Sequence, residues 1–244
     1  MNGNGGEKAA ANYLRRAPVT TATGAPKVTP AILPNFITIE GNIGAGKTTL
    51  SRRLAAEHNR RLILEEFSDN PFLPPFYREP ERYAFPVELF FMAERHKQLQ
   101  NELAQTDLFT NGVVADYLFV KTLLFARNSL PEEEFRLFSR LFKVMDAGFP
   151  NPDLIVYLHR PVEALQANIA KRGREYEQEM KDDYLLSVQQ AYFNYFRTQQ
   201  ELPVLILDLG DLNFEEEAGT YDRILTALRA KYPVGITRID VTSA

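Results

Sequence analysis

The chain changes character near residue 35. Residues 1–34 carry few large apolar side chains and no recurring hydrophobic period, and they are rich in Ala, Thr, Gly, Asn and Pro. A segment of that composition buries too little apolar surface to fold alone, so a flexible leader is expected. A short helix around residues 7–16 is the one local element it suggests. Arg15 and Arg16 stand among few acids, as in a targeting peptide, but no apolar signal core or cleavage pattern accompanies them. From Phe36 onward, short apolar runs alternate with helix-like stretches. Residues 36–40, 62–64, 112–116, 154–158 and 204–207 predict five strands, and runs this short and apolar fit strands covered on both faces. Helices are expected over 47–58, 86–105 (Pro86 in the first turn), 132–144, 161–171, 183–200 and 215–231. The alternation implies one α/β domain over residues 35–244: a five-stranded, mainly parallel sheet flanked by helices on both faces. No internal repeat is visible.

Composition narrows the picture by exclusion. A chain of 244 residues that is 45% hydrophobic can bury one sizeable core. A formal net charge of −4 argues against a protein that coats nucleic acid. The absence of cysteine removes disulfides and thiolate metal sites, and His58, His96 and His159 lie far apart in sequence. No apolar run reaches the roughly 18–20 residues of a membrane span. A soluble, cytoplasmic protein is expected.

Chemistry enters at the end of the first predicted strand. Gly41, Asn42, Ile43, Gly44, Ala45, Gly46, Lys47 and Thr48 match G-x-x-x-x-G-K-[ST], with an apolar strand before them and a helix after. The glycines let the backbone curl so that N–H groups face a phosphate, and the helix N-terminus adds its positive end. Lys47 is placed to reach the β- and γ-phosphates of a nucleoside triphosphate, Thr48 to ligate Mg²⁺, and the adjoining Thr49 completes the turn. Switches and motors use the same loop, but the guanine-reading N-K-x-D and the D-x-x-G of switch proteins are missing, and the chain is short for a motor. A small-molecule kinase is the better expectation. In a parallel sheet the ligand lies at the carboxyl ends of the strands, where Glu65, Glu66 and Asp116 fall. A carboxylate there can take or orient an acceptor's proton, or hold Mg²⁺ directly or through water.

Several motifs in a fixed order carry a resemblance. They are I-E-G-N-I-G-A-G-K-T-T (39–49), L-E-E-F (64–67), F-Y-R-E-P-E-R-Y-A-F (76–85), a helix with Glu88 and Arg95, and K-R-G-R-E-Y-E-Q (171–178) followed by Tyr184 and Leu185. Over about residues 35–232 the chain resembles the deoxynucleoside kinase family, which includes deoxyguanosine, deoxyadenosine and deoxycytidine kinases. The resemblance implies a P-loop kinase fold with a lid segment, ATP as donor, Mg²⁺ as cofactor, a deoxynucleoside as acceptor, nucleotide salvage and a homodimer. By position, Glu66 matches the base that activates the sugar 5′-hydroxyl, with Glu65 the alternative one residue earlier. Tyr77 and Glu177 match groups on the 3′-hydroxyl. Arg172 and Arg174 match lid arginines that stabilise charge on the moving phosphoryl group, with Gly173 as the bend between them. Arg95 is placed to bond the base or orient Glu88.

Two departures stand out. Where many relatives carry E-R-S or D-R-S, this chain has Asp116-Tyr117-Leu118; the carboxylate stays, the arginine is gone, and Lys121 is the nearest following cation. Where many relatives have a base-reading glutamine, this chain has Glu88. An ionised carboxylate only accepts, which suits the adjacent N1–H and N2–H of guanine and tilts the expected substrate toward deoxyguanosine. The aromatic group Phe72, Phe76, Tyr83, Phe85, Phe90 and Phe91 is expected to be mostly core, with one or two rings on the base. The competing functions are a nucleoside monophosphate kinase of the thymidylate kinase type, which needs arginines where Glu65 and Glu66 stand, and a non-catalytic nucleotide-binding module.

Overall fold

The structure, a computed structural model, describes residues 32–65, 70–104, 109–178, 180–214, 216–217 and 219–242. Most of the expected leader therefore lies outside the described residues. Six strands, β1 (Phe36–Gly41), β2 (Arg61–Ile63), β3 (Val113–Ala115), β4 (Leu154–His159), β5 (Pro203–Asp208) and β6 (Gly235–Asp240), form one sheet in the order β2-β3-β1-β4-β5-β6. Every pairing is parallel. The α-helices among the described residues are α1 (Lys47–Glu57), α2 (Leu73–Arg78), α3 (Pro80–Leu103), α4 (Lys121–Ser129), α5 (Glu132–Asp146), α6 (Val162–Arg172), α7 (Asp182–Thr198) and α8 (Thr220–Leu228).

Alternate strand residues point to the two faces of the sheet, as a period of two requires, and pack into three clusters. Ile37 and Ile39 of β1, Val156 and Leu158 of β4, and Leu205 and Leu207 of β5 are buried with Leu50 and Leu54 of α1 and Ile224 and Leu228 of α8. The intervening Ile155, Tyr157, Val204 and Ile206 are buried with Val188, Tyr192 and Phe196 of α7. Ile63 and Ala115 are buried with Val87 and Met92 of α3 and Phe138 of α5. Helices thus cover both faces, as expected.

The sheet has six strands rather than the expected five. β6 reads Gly-Ile-Thr-Arg-Ile-Asp, half-polar and partly exposed, because it pairs with β5 alone at the sheet edge; an edge strand needs no continuous apolar run. Two short helices, α2 and α4, were also absent from the pattern. The first packs two prolines into its opening turn, and the second buries Lys121 and Thr122, which masks its apolar face. Helix α3 starts at Pro80, which takes the first-turn place expected of Pro86, while Pro86 lies inside the helix. Strand β1 sits between β3 and β4, so the chain leaves it for one side of the sheet and later returns on the other. That reversal opens a crevice at the carboxyl end of β1, where the phosphate loop begins.

Candidate active site

The loop after β1 is held by its glycines and by side chains from around it. Gly41 has φ 153°, and a Cβ there would stand 2.9 Å from the Leu158 carbonyl oxygen; Gly44 has φ 80°, and a Cβ would stand 2.7 Å from that of Leu165. Only glycine fits both places. Asn168 Nδ2 donates to the Gly44 carbonyl at 2.8 Å, and buried Arg160 donates through Nε to that of Ala45 at 3.2 Å. The Ile43 and Ala45 N–H groups donate within the loop to Asn42, and the helix start that follows at Lys47 offers its N-terminal end to an anion. Asn42 Nδ2 donates to the Leu185 carbonyl at 2.8 Å and ties the loop to α7. Lys47 Nζ donates to the Asn42 carbonyl at 2.8 Å. Burial, and then the charge of Lys121, push the Lys47 ammonium down to about 8, a shift that phosphate oxygens would oppose.

One cleft of about 520 Å³ joins this loop to the ends of β2 and β3. Ile43, Lys47, Thr48, Glu65, Glu88, Arg95, Asp116, Arg172, Arg174 and Glu177 all line it. Thr48 Oγ1 donates to Asp116 Oδ2 at 2.7 Å, and Asp116 Oδ1 accepts the Glu65 N–H at 2.7 Å. A hydroxyl beside a carboxylate supplies the hard oxygen donors that suit Mg²⁺, whose other positions go to water and phosphate. The two residues expected at the metal therefore fit it. Thr49 follows on the first turn of α1.

The acceptor end is a charged cluster. Arg95, which is 3% exposed, donates to Glu65 Oε1 through Nε at 2.8 Å and Nη2 at 2.5 Å, and through Nη1 to Thr122 Oγ1 at 2.9 Å. Lys121 Nζ pairs with Glu65 Oε2. Burial favours the neutral form of Glu65, but Arg95 and Lys121 outweigh it and hold the carboxyl far below the usual carboxylate range. Lys121 therefore brings a cation to the carboxylate in a chain that lacks the triplet arginine. Arg95 meets Glu65 rather than Glu88. Glu66 lies outside the described residues, as does the side chain of Tyr77. Glu88 is 4% exposed and lies 3.0 Å from Ser129 Oγ. Of the aromatic group, Phe76 and Phe91 line the cleft, and Phe125 of α4 joins them. Phe85 instead packs edge-on against Phe138 in the core.

The lid begins where α6 ends. Gly173 caps that helix in the left-handed region at φ 71°, and a 3₁₀ turn, Glu175–Glu177, follows. Glu177 is buried and pairs with Arg172 and with Arg174. One group escaped sequence reasoning altogether. Glu40, the residue before the loop, is 1% exposed; Oε1 accepts the Leu118 N–H at 2.5 Å and Oε2 accepts Tyr192 Oη–H at 2.7 Å. Burial raises its pKa against the pull of Lys121 and of these hydrogen bonds. Its signal was an acid in an otherwise apolar strand. It fastens β1 to the turn after Asp116 and to α7.

A phosphate loop, an acid-lined acceptor cleft and an arginine-bearing lid define a phosphotransferase of the P-loop type. The family model described as deoxynucleoside kinase matches residues 37–232. Deoxyguanosine kinase of Bacillus subtilis (strain 168) is 32% identical over 193 residues, covering 78% of this chain and 93% of that protein. Deoxyadenosine/deoxycytidine kinase of the same organism is 30% identical over 201 residues, covering 78% and 90%. In fold, deoxyadenosine kinase from M. mycoides with bound dATP superimposes with a TM-score of 0.68 at 19% identity, over 80% of this chain and 99% of that one. The chain belongs to the deoxynucleoside kinase family, and it is a nucleotide-binding phosphotransferase. Among the described residues, no helix is long and apolar enough to cross a membrane.

Proposed function

We propose that the protein transfers the γ-phosphoryl group of ATP to the 5′-hydroxyl of a purine deoxyribonucleoside, as a step of nucleotide salvage. The carrying observation is Glu65: an ionised carboxylate in the same cleft as Lys47, clamped by Arg95 and Lys121. In this reading Glu65, rather than its neighbour Glu66, orients the 5′-hydroxyl and takes its proton as transfer proceeds. Two fixed cations keep that carboxylate charged and aimed, so little reorganisation is needed. Lys47 and the loop N–H groups hold the β- and γ-phosphates. Arg172 and Arg174 stabilise the charge that develops on the phosphoryl oxygens. Thr48 and Asp116 would hold Mg²⁺, which neutralises phosphate charge when bound. Glu177 and Tyr77 would hold the 3′-hydroxyl, and Phe76, Phe91 and Phe125 form apolar walls for the base.

Glu88 at the end of this pocket favours a purine, and as a carboxylate it favours deoxyguanosine. By name, the two curated relatives above divide between deoxyguanosine and deoxyadenosine/deoxycytidine. A monophosphate kinase fits less well, because the acceptor end's two cations are already paired with Glu65. Purified protein with Mg-ATP and panels of deoxynucleosides and monophosphates tests the reading; transfer to monophosphates alone, or to nothing, refutes it. A homodimer is proposed as well. Leu137, Leu141 and Val144 form an exposed stripe on α5, at helical spacing. A monomer by sedimentation velocity at micromolar concentration would refute it.

A further inference from the structure

Glu88 lies among charges yet is paired with none of them. Arg95 on its own helix and Lys121 on α4 both bond Glu65, the acid at the end of β2, and among the described residues no ion pair reaches Glu88. Its hydrogen-bond partner is Ser129 on α4, at 3.0 Å from Oε1. Ser129 Oγ also lies 3.0 Å from the Phe125 carbonyl oxygen. A hydroxyl has one proton, and a carbonyl only accepts. If Glu88 is ionised, Ser129 donates to it and gives up the carbonyl. If Glu88 is protonated, Ser129 turns its proton to the Phe125 carbonyl instead, which leaves the acid's one proton for a base. Rotating one hydroxyl thus serves both forms of the carboxyl.

The two forms present different faces to a base. A carboxylate accepts twice, from guanine N1–H and N2–H. A carboxylic acid donates once and accepts once, as glutamine does, and matches adenine N1 and N6–H.

We propose that Glu88 selects the base through its protonation state: the carboxylate form takes deoxyguanosine, and the acid form takes deoxyadenosine. This rests on the deoxynucleoside kinase reading above. Burial pushes the Glu88 carboxyl up to about 7, against the pull of Arg95, so both forms are populated near neutral pH. Deoxyguanosine binding then expels a proton below that pH, and deoxyadenosine binding captures one above it.

The test is kcat/KM for deoxyguanosine and deoxyadenosine from pH 6 to 8.5, in the wild type and in Glu88→Gln. The wild-type guanosine-to-adenosine ratio should rise with pH by up to about tenfold per unit, the limit for one proton. Glu88→Gln should favour deoxyadenosine at a ratio independent of pH. Thermal unfolding gives a readout independent of turnover. A buried acid whose folded pKa is raised loses stability as pH climbs from its ordinary range toward 7, so the Tm advantage of Glu88→Gln should widen between pH 5 and pH 8. A wild-type ratio that stays flat while both nucleosides are phosphorylated overturns this inference alone, as does an equal rise in Glu88→Gln. A protein that phosphorylates neither nucleoside at any pH refutes the kinase reading and this inference with it.

Discussion

The two halves of the cleft are built on different principles. The donor half is backbone: eight consecutive residues form a tight loop, with φ angles and close approaches at Gly41 and Gly44 that only glycine meets. The acceptor half is side chains. Glu65 leaves β2, Glu88 and Arg95 come from α3, Asp116 follows β3, and Lys121 opens α4. The donor half is carried by one contiguous motif, Gly41 to Thr48. The acceptor half draws its charges from elements that sequence does not bring together. In a cluster like this each group sets the state of the next, so one substitution is felt by several neighbours.

Substitutions in the two halves should therefore fail in different ways. The largest loss is expected from Glu65→Gln, about 10²–10⁴-fold in kcat, the usual scale of a lost general base, with ATP affinity retained. Glu66→Gln serves as the partner experiment. If it carries the loss while Glu65→Gln keeps full activity, the catalytic carboxylate has been misassigned by one residue. Lys47→Ala should follow at about 10²–10³-fold in kcat, the scale of one lost charge-stabilising donor, and should also raise KM for ATP. The contrast would collapse if Glu65→Gln raised KM for ATP as much as Lys47→Ala does.

Legibility divides along the same line. The phosphate loop, the strand before it, the parallel sheet and the helices on its two faces could be read directly, because glycine spacing and hydrophobic period are local signals. Strand β6 could not, since an edge position lets polar residues stand where a central strand would be apolar. Helix α4 could not, because Lys121 and Thr122 point their polar groups into the cluster around Glu65 and spoil the amphipathic pattern. The need for a cation near Asp116 was visible as a missing arginine, whereas its partner was not: nothing in the spacing of residues 65 and 121 says that they meet. Glu40 stayed hidden for the same reason, its partners lying at residues 118 and 192.

Lys121 gives the finest test of that difference, with the smallest expected effect. It bonds one oxygen of Glu65 while Arg95 bonds the other, and the two together hold the carboxyl far below its usual range. Removing Lys121 leaves Arg95 in place, so Glu65 should stay ionised at neutral pH but lose half of its clamp. Lys121→Met is therefore expected to lower kcat by roughly tenfold, about 1.4 kcal/mol, a fraction of what losing the carboxylate costs. The sign of the pH effect follows from the charge. With one cation gone the Glu65 pKa rises, so the acid limb of kcat/KM should move to higher pH. Lys121→Arg should restore both rate and profile, because a guanidinium can meet the same oxygen. A loss of rate with an unmoved acid limb would show that Lys121 only packs α4 against the sheet, and that a single cation, Arg95, sets the charge of the acceptor half.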